Sequence, residues 1–318
     1  MGYSRVVPIK IPDELPAGRA LEREGVEIIR RETAIHQDIR PVRIILLNLM
    51  PNKEQTEIQF ARLLGNTPLQ IDLTLMTTAS YEPRNTPPGY LDQFYRTLDD
   101  VRDEFFDGLI VTGAPIERLP FEEVEYWDEL MEIVDWSTVH VARRLGICWG
   151  AQALMYHRYG VEKYELPRKL FGVYQHFLAK ELAHTGLLTG FTDRFPMPVS
   201  RYTGNRFEAV SAVPELEVIA QSTESGVAMV IDTATRDLFV LNHLEYDAQT
   251  LADEYERDRR AGLDTALPEN YFPDDDPSSP PRNRWRPYAY LLVANWIKQL
   301  YLDNPYDLAT LATRRSAG

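Results

Sequence analysis

Cysteine is nearly missing from this sequence: one residue of 318, Cys148. A single thiol closes no intrachain disulfide, so nothing ties the chain to an oxidising compartment. Positive charge is also short, with 34 Lys and Arg against 48 Asp and Glu, for a formal net charge of −14. Nucleic-acid backbones and anionic membranes are gripped through dense positive patches, so neither is expected as a partner. No apolar run approaches the roughly 20 residues of a membrane-spanning helix. The opening stretch, MGYSRVVPIKIPDELPAG, has three prolines and no apolar core of signal-peptide length. The expected location is the cytoplasm. Also missing are C-x-x-C, H-E-x-x-H, a P-loop and a G-x-G-x-x-G after a strand. Metal, nucleotide-hydrolysis and dinucleotide chemistry therefore have no signal, and no metal or cofactor is expected.

What is present is an alternation of strands and helices. Val42–Met50 is a continuous apolar run, as in a strand covered on both faces, and a helix follows from Asn52 to Gly65. Leu69–Thr77 alternates at period two, PPGYLDQFYRTLDDVRDE reads as a helix, and Phe106–Pro115 as a buried strand. Glu122–Arg143 reads as a long amphipathic helix, RLGIC as a short strand and WGAQALMYHRYG as a helix capped by Gly160. Four such alternations predict an α/β fold: a three-layer sandwich with a mostly parallel sheet, flavodoxin-like in class. Further on, Val227–Asp232 and Leu238–Asn242 read as a hairpin pair leading to a helix from Ala248. Leu267–Pro287, rich in Pro, Asp and Ser, reads as a long surface loop, and Tyr288–Leu302 as a last helix. The expected organisation is an arm over 1–40 with a short helix at Ala20–Arg31, one catalytic domain over 41–302, and a tail over 303–318.

The lone cysteine sits in Gly146-Ile147-Cys148-Trp149-Gly150. Glycines two positions to either side of a nucleophile, between a strand and a helix, are the spacing of a nucleophile elbow. The turn is too tight for side chains at those positions. It would present the sulfur at the C-terminal edge of the sheet and at a helix N-terminus, where the dipole favours thiolate. The N–H of Trp149 is then a natural donor to an oxyanion. Of six histidines, His243 stands out: it follows the strand LFVLN directly, with Glu245 two residues on. A histidine there can take the sulfur's proton, and a carboxylate can hold its tautomer. Cys148, His243 and Glu245 are thus a candidate triad.

G-x-C-x-G after a strand with a late H-x-E resembles the class I glutamine amidotransferase fold. Within that superfamily the chain is similar to the homoserine O-acyltransferases of methionine biosynthesis. The segments NLMPNKEQTEIQFARLLGNTPLQIDL, RNTP, FDGLIVTGAP, YWDEL, GVYQH, SRYTG, HLEYDAQTLADEYERD, YFPDDDP and NPYDL carry this likeness in order. It implies a double displacement: Cys148 takes the acyl group from acyl-CoA, and L-homoserine, deprotonated by His243, takes it from Cys148. It implies further that Lys169, Ser200 and Arg257 bind substrate and that Lys53 lies near the oxyanion. A homodimer is one assembly open to such an enzyme.

The same likeness singles out the position after T-G-A-P, where Gly accompanies succinyl-CoA users and Glu acetyl-CoA users. Here it is Glu117. A carboxylate would fill the room a longer acyl chain needs and would repel the succinyl carboxylate. The expected activity is homoserine O-acetyltransferase using acetyl-CoA as co-substrate, with the succinyltransferase as alternative. A glutamine amidohydrolase or a non-catalytic binding module on the same fold are the remaining readings.

Overall fold

The computed structural model describes residues 9–10, 15–23, 28–29, 40–80, 86–87, 89–179 and 186–311. By its contacts the chain divides into two compact units. One comprises Met1–Pro115, Phe121–Leu145 and Val293–Gly318; the other comprises Ile116–Pro120 and Gly146–Leu292.

Parallel strands build the first unit. Near the N-terminus lie β1 (Ile9–Lys10), α1 (Pro16–Arg23) and β2 (Ile28–Ile29). Of the helix expected over Ala20–Arg31, the described part is helical up to Arg23 and Ile28–Ile29 is strand; the rest of that stretch lies outside the described residues. Next come β3 (Val42–Leu47), α2 (Lys53–Leu64) and β4 (Ile71–Met76). The strand β1 pairs in parallel with β2 and β4, and β3 pairs in parallel with β4. The other neighbour of β3, also parallel, is β5 (Phe106–Val111), every residue of which is buried, as its apolar run requires.

Two helix expectations change here. The stretch PPGYLDQFYRTLDDVRDE holds two short helices, α3 (Tyr90–Phe94) and α4 (Leu98–Val101), not one. Between them Tyr95 is extended, and Arg96 donates its backbone N–H to Leu75 and accepts from Thr77. Thr97 then restarts the helix through a capping box with Asp100. The long helix is shorter than its pattern: α5 spans Trp127–His140, and β6 (Val141–Ile147) begins at once.

The second unit is antiparallel, which the alternation upstream did not announce. After α6 (Trp149–Tyr159) come β7 (Tyr164–Leu178) and β8 (Arg194–Gly204), a long hairpin pair missed by the sequence reading. Then follow α7 (Phe207–Ser211), β9 (Leu216–Ser222), β10 (Gly226–Asp232) and β11 (Leu238–Val240). The strand order is β11-β10-β9-β7-β8, all neighbours antiparallel. So α/β is the class, with parallel strands supplemented by antiparallel ones. The helices α8 (Thr250–Arg260) and α9 (Arg286–Asp303) follow β11.

The Pro-rich stretch between α8 and α9 is irregular but anchored. Glu269 exchanges backbone hydrogen bonds with Phe171 and Val173, both 2.8 Å, opposite Gly172. A Cβ at Gly172 would stand 2.3 Å from the Glu269 carbonyl oxygen, so only glycine allows this approach. Trp285, wholly buried, donates its indole N–H to the Tyr246 carbonyl at 2.8 Å, and Arg286 pairs with Asp247 at 2.6 Å. The loop thus holds the segment that follows β11.

Candidate active site

Cys148 is the residue before α6, at φ 49° and ψ −116°. A positive φ is strained for a residue with a side chain, at a cost of about 1–3 kcal/mol, and such strain collects at functional sites. Neighbours hold it there. Its N–H donates to Val240 O at 2.7 Å, and its carbonyl accepts from Gln152 N at 3.1 Å, closing the first turn of α6. The glycine two residues earlier is required by packing: a Cβ on Gly146 would lie 2.7 Å from Ala151 Cα, backbone that cannot swing aside. Gly146→Ala is expected to lower stability by about 1–3 kcal/mol, read as a lower Tm. An unchanged Tm would mean that α6 can shift away from the strand end.

His243 arrives from the neighbouring strand. Beyond β11, Leu241 N–H bonds Ala228 O at 2.8 Å and His243 N–H bonds Pro198 O at 3.0 Å. The imidazole Nδ1 then meets Glu245 Oε1 at 2.7 Å, and the ring stacks on Tyr246 with centroids 4.1 Å apart. With Nδ1 on the carboxylate, the other ring nitrogen is left for Cys148, with which the side chain is hydrogen-bonded. Burial opposes a charge on this ring. The Cys148 sulfur and Glu245 more than offset it and hold His243 well above the usual imidazole range. The structure therefore brings Cys148, His243 and Glu245 into one chain of contacts. All three are buried, Cys148 at 5% exposure.

Around them lies a shell of charge. Lys169 Nζ is 3.0 Å from Asp258 Oδ2 and 3.6 Å from Glu254 Oε2, with its ammonium 4.0 Å above the Phe171 ring. Ser200 donates its hydroxyl to Glu254, and Tyr246 OH donates to the other Glu254 oxygen at 2.8 Å. Arg257 forks onto Asp258 Oδ1 through Nε at 3.0 Å and Nη2 at 2.7 Å, with most of its side chain exposed. Burial works against the charge of Asp258, yet Arg257 and Lys169 hold it below the usual carboxylate range. So Lys169, Ser200 and Arg257 form one cluster, joined by two acids that the sequence reading passed over. Glu254 and Asp258 stand four apart on α8, which puts both on one helix face. That spacing was the available signal, hidden in an acidic run that reads as a solvated surface.

Glu117 belongs to the same unit. Its Oε1 accepts the Tyr202 N–H at 3.0 Å, while Lys163 fixes its backbone carbonyl at 2.7 Å. Burial raises its carboxyl above the ordinary range; the Tyr202 N–H, His243 and Lys169 pull it back only in part. The carboxyl is therefore within electrostatic reach of both His243 and Lys169. Trp149 is the first residue of α6 and wholly buried. Lys53 opens α2 in the first unit, where its ammonium donates to the Asn48 carbonyl. Burial lowers it to about 8, against the pull of Glu57. Among the described residues, no group of three His, Cys, Asp or Glu is set to hold a metal ion, and no helix is long and apolar enough to cross a membrane.

Behind His243, His176 is wholly buried, with Nδ1 3.0 Å from Tyr174 O and Nε2 2.9 Å from Asn242 Nδ2. Burial, reinforced by Arg201, lowers it to about 4. Its folded value lies below the unfolded one, so its stabilising contribution is whole above about pH 6.5 and is lost as pH falls to about 4. That loss amounts to about 3 kcal/mol. His176→Gln should flatten the stability profile in this window, measured by urea unfolding at stepped pH. An equally steep profile would mean another group titrates there.

A family model described as Homoserine O-succinyltransferase matches residues 8–306. The chain belongs to this homoserine O-acyltransferase family. Its members carry two names. A relative from Pelagibacterium halotolerans, 50% identical over 307 residues (96% of this chain, 99% of that one), is named homoserine O-succinyltransferase. One from Rhizobium rhizogenes, 49% identical over 309 residues (97% and 100%), is named homoserine O-acetyltransferase. Among solved structures, a glutamine amidotransferase from Thermotoga maritima is 14% identical with a TM-score of 0.51, covering 83% of this chain and 100% of its own. That likeness concerns the fold alone, and it agrees with the class I glutamine amidotransferase-like expectation.

Proposed function

We propose that this chain transfers an acetyl group from acetyl-CoA to the hydroxyl of L-homoserine through a thioester on Cys148. The observation that carries the reading is His243 joined to both Cys148 and Glu245 at the head of α6. In the first half-reaction the Cys148 sulfur attacks the thioester carbonyl. The carbonyl oxygen gains charge opposite the N–H of Trp149, and the C–S bond to CoA breaks. Protonated His243 gives its proton to the departing CoA thiolate. In the second half, neutral His243 takes the proton of the homoserine hydroxyl as that oxygen attacks the acyl-cysteine, and the sulfur leaves as thiolate. Glu245 keeps Nδ1 protonated throughout. The co-substrate supplies the acyl group, and these steps call on no cofactor.

The cluster beside the triad suits an amino acid. Lys169 and Arg257 match a carboxylate, Arg by a bidentate pair, while Glu254 and Ser200 match an ammonium and a hydroxyl. Glu117 supports acetyl over succinyl, because a longer acyl chain ending in a carboxylate would meet its side chain. The family description and the succinyl-named relative favour the second reading, homoserine O-succinyltransferase. Release of CoA with homoserine and either donor decides between them. Faster turnover with succinyl-CoA would replace the first reading by the second. Glutamate released from glutamine, with no CoA released from either donor, would replace both.

A further inference from the structure

Tyr246 follows His243 by three residues and is 5% exposed. Leu244 and Glu245 between them form a turn, and a turn brings its first and fourth residues together. The phenol ring thereby folds back over the imidazole, with centroids 4.1 Å apart and planes 17° from parallel. Glu245 holds one edge of the imidazole at Nδ1, 2.7 Å away, and Tyr246 covers one face. A ring gripped at an edge and a face is held against rotation, so its other nitrogen keeps one direction. The face of a phenol is also negative, and it favours the imidazolium that His243 becomes on taking a proton.

The far end of Tyr246 meets different chemistry. Its hydroxyl donates to Glu254 Oε1 at 2.8 Å, eight residues along the chain. The second carboxylate oxygen, Oε2, accepts from the Ser200 hydroxyl and lies 3.6 Å from Lys169 Nζ. One side chain therefore joins the face of the base to a carboxylate of the cluster that suits an amino acid. Its placement does not depend on that hydroxyl. The Tyr246 carbonyl accepts from Trp285 Nε1 at 2.8 Å and from Asn283 Nδ2 at 3.4 Å. The backbone is thus pinned from the loop before α9, and the hydroxyl serves as a link.

We infer that Tyr246 is a positioning residue with two separable functions: its ring holds the His243 imidazole, and its hydroxyl sets the Glu254 carboxylate for the ammonium of the acceptor. It acts through those two residues, on neither substrate directly. The inference rests on the acyl-transfer reading above and deepens it on the acceptor side. Two kinetic readouts separate the functions. Mixing the full chain with acyl-CoA alone gives a burst of CoA, which needs Cys148 and His243 but no acceptor. Steady-state turnover with homoserine adds kcat and the KM for the acceptor. The donor is whichever of acetyl-CoA and succinyl-CoA the wild type turns over faster, and Tm is recorded for every variant.

Tyr246→Phe keeps the ring and loses the link, so KM for homoserine should rise ~10-fold while the burst rate stays within about twofold of wild type. Tyr246→Leu loses both, so its burst should slow by ~10-fold as well. Recovery of the burst by Phe over Leu, whatever their Tm values, is a result that a merely structural role would not give. Glu254→Gln supplies a check that holds even where Tyr246→Leu fails to fold. Combined with Tyr246→Phe, it should give no KM beyond that of Glu254→Gln alone, because the hydroxyl acts through that carboxylate.

An unchanged KM in Tyr246→Phe, or two rises that multiply in the double variant, would overturn the inference and leave acyl transfer standing. Equal burst rates in folded Phe and Leu variants would overturn it too. A wild type that gives no CoA burst with either donor would overturn the acyl-enzyme reading and this inference with it.

Discussion

Cys148→Ala is expected to lower acyl transfer by ~10⁴-fold or more while the protein stays folded. Removing the nucleophile from a triad commonly costs this much, because base, oxyanion donor and nucleophile act as one unit. The elbow geometry should survive, since alanine is smaller than cysteine and the backbone bonds to Val240 and Gln152 do not involve the side chain. Stability therefore separates a chemical role from a structural one. With the wild type, incubation with acetyl-CoA and no homoserine should leave an acetyl group on Cys148, detected by mass on the peptide that contains it. The variant should show none. Turnover by Cys148→Ala near the wild-type rate, or transfer with no adduct under any donor, would point to direct attack by homoserine and end the double-displacement account.

Glu117→Gly should raise the succinyl-to-acetyl ratio of kcat/KM by ~100-fold or more. Two effects combine at this position: the side chain fills space, and its carboxylate repels a second carboxylate. They separate experimentally. Because burial lifts the Glu117 carboxyl above its ordinary range, the neutral form gains as pH falls. Rejection of succinyl-CoA by charge should thus be strongest at high pH and weaken as pH drops through that raised value. Glu117→Gln keeps the size without the charge, so its ratio should lie between wild type and glycine and should lose the pH dependence. If glycine leaves the ratio where it was, the acyl chain does not pass Glu117 and specificity is set elsewhere.

The elbow was legible because its instructions are local. Five residues, Gly146 to Gly150, encode a strand, a turn with no room for side chains and a helix start, and the φ of 49° at Cys148 is what that spacing demands. His243 and Glu245 were legible for a related reason: two residues apart after an apolar strand, they needed no distant partner to be noticed. The hairpin β7–β8 was not. The stretch YELPRKLFGVYQHFL mixes exposed and buried positions without clean alternation, and its register comes from residues up to 40 positions away, Tyr164 opposite Gly204. The break at Tyr95 was hidden too. Tyr95 OH bonds the buried Glu57 at 2.6 Å and Arg96 pairs with the edge of β4, contacts that override a helical pattern.

From the sequence alone came the α/β class, the buried strands, the elbow and the H-x-E pair, since backbone sterics and apolar periodicity act between near neighbours. Resemblance supplied Lys169, Ser200, Arg257 and Glu117 as positions without surroundings. Tertiary structure alone decided that Lys169 and Arg257 share Asp258 and that Ser200 and Tyr246 share Glu254. Those pairings join residues as much as 89 positions apart. Charge in a low-dielectric interior is governed by distance through space, which no local pattern records.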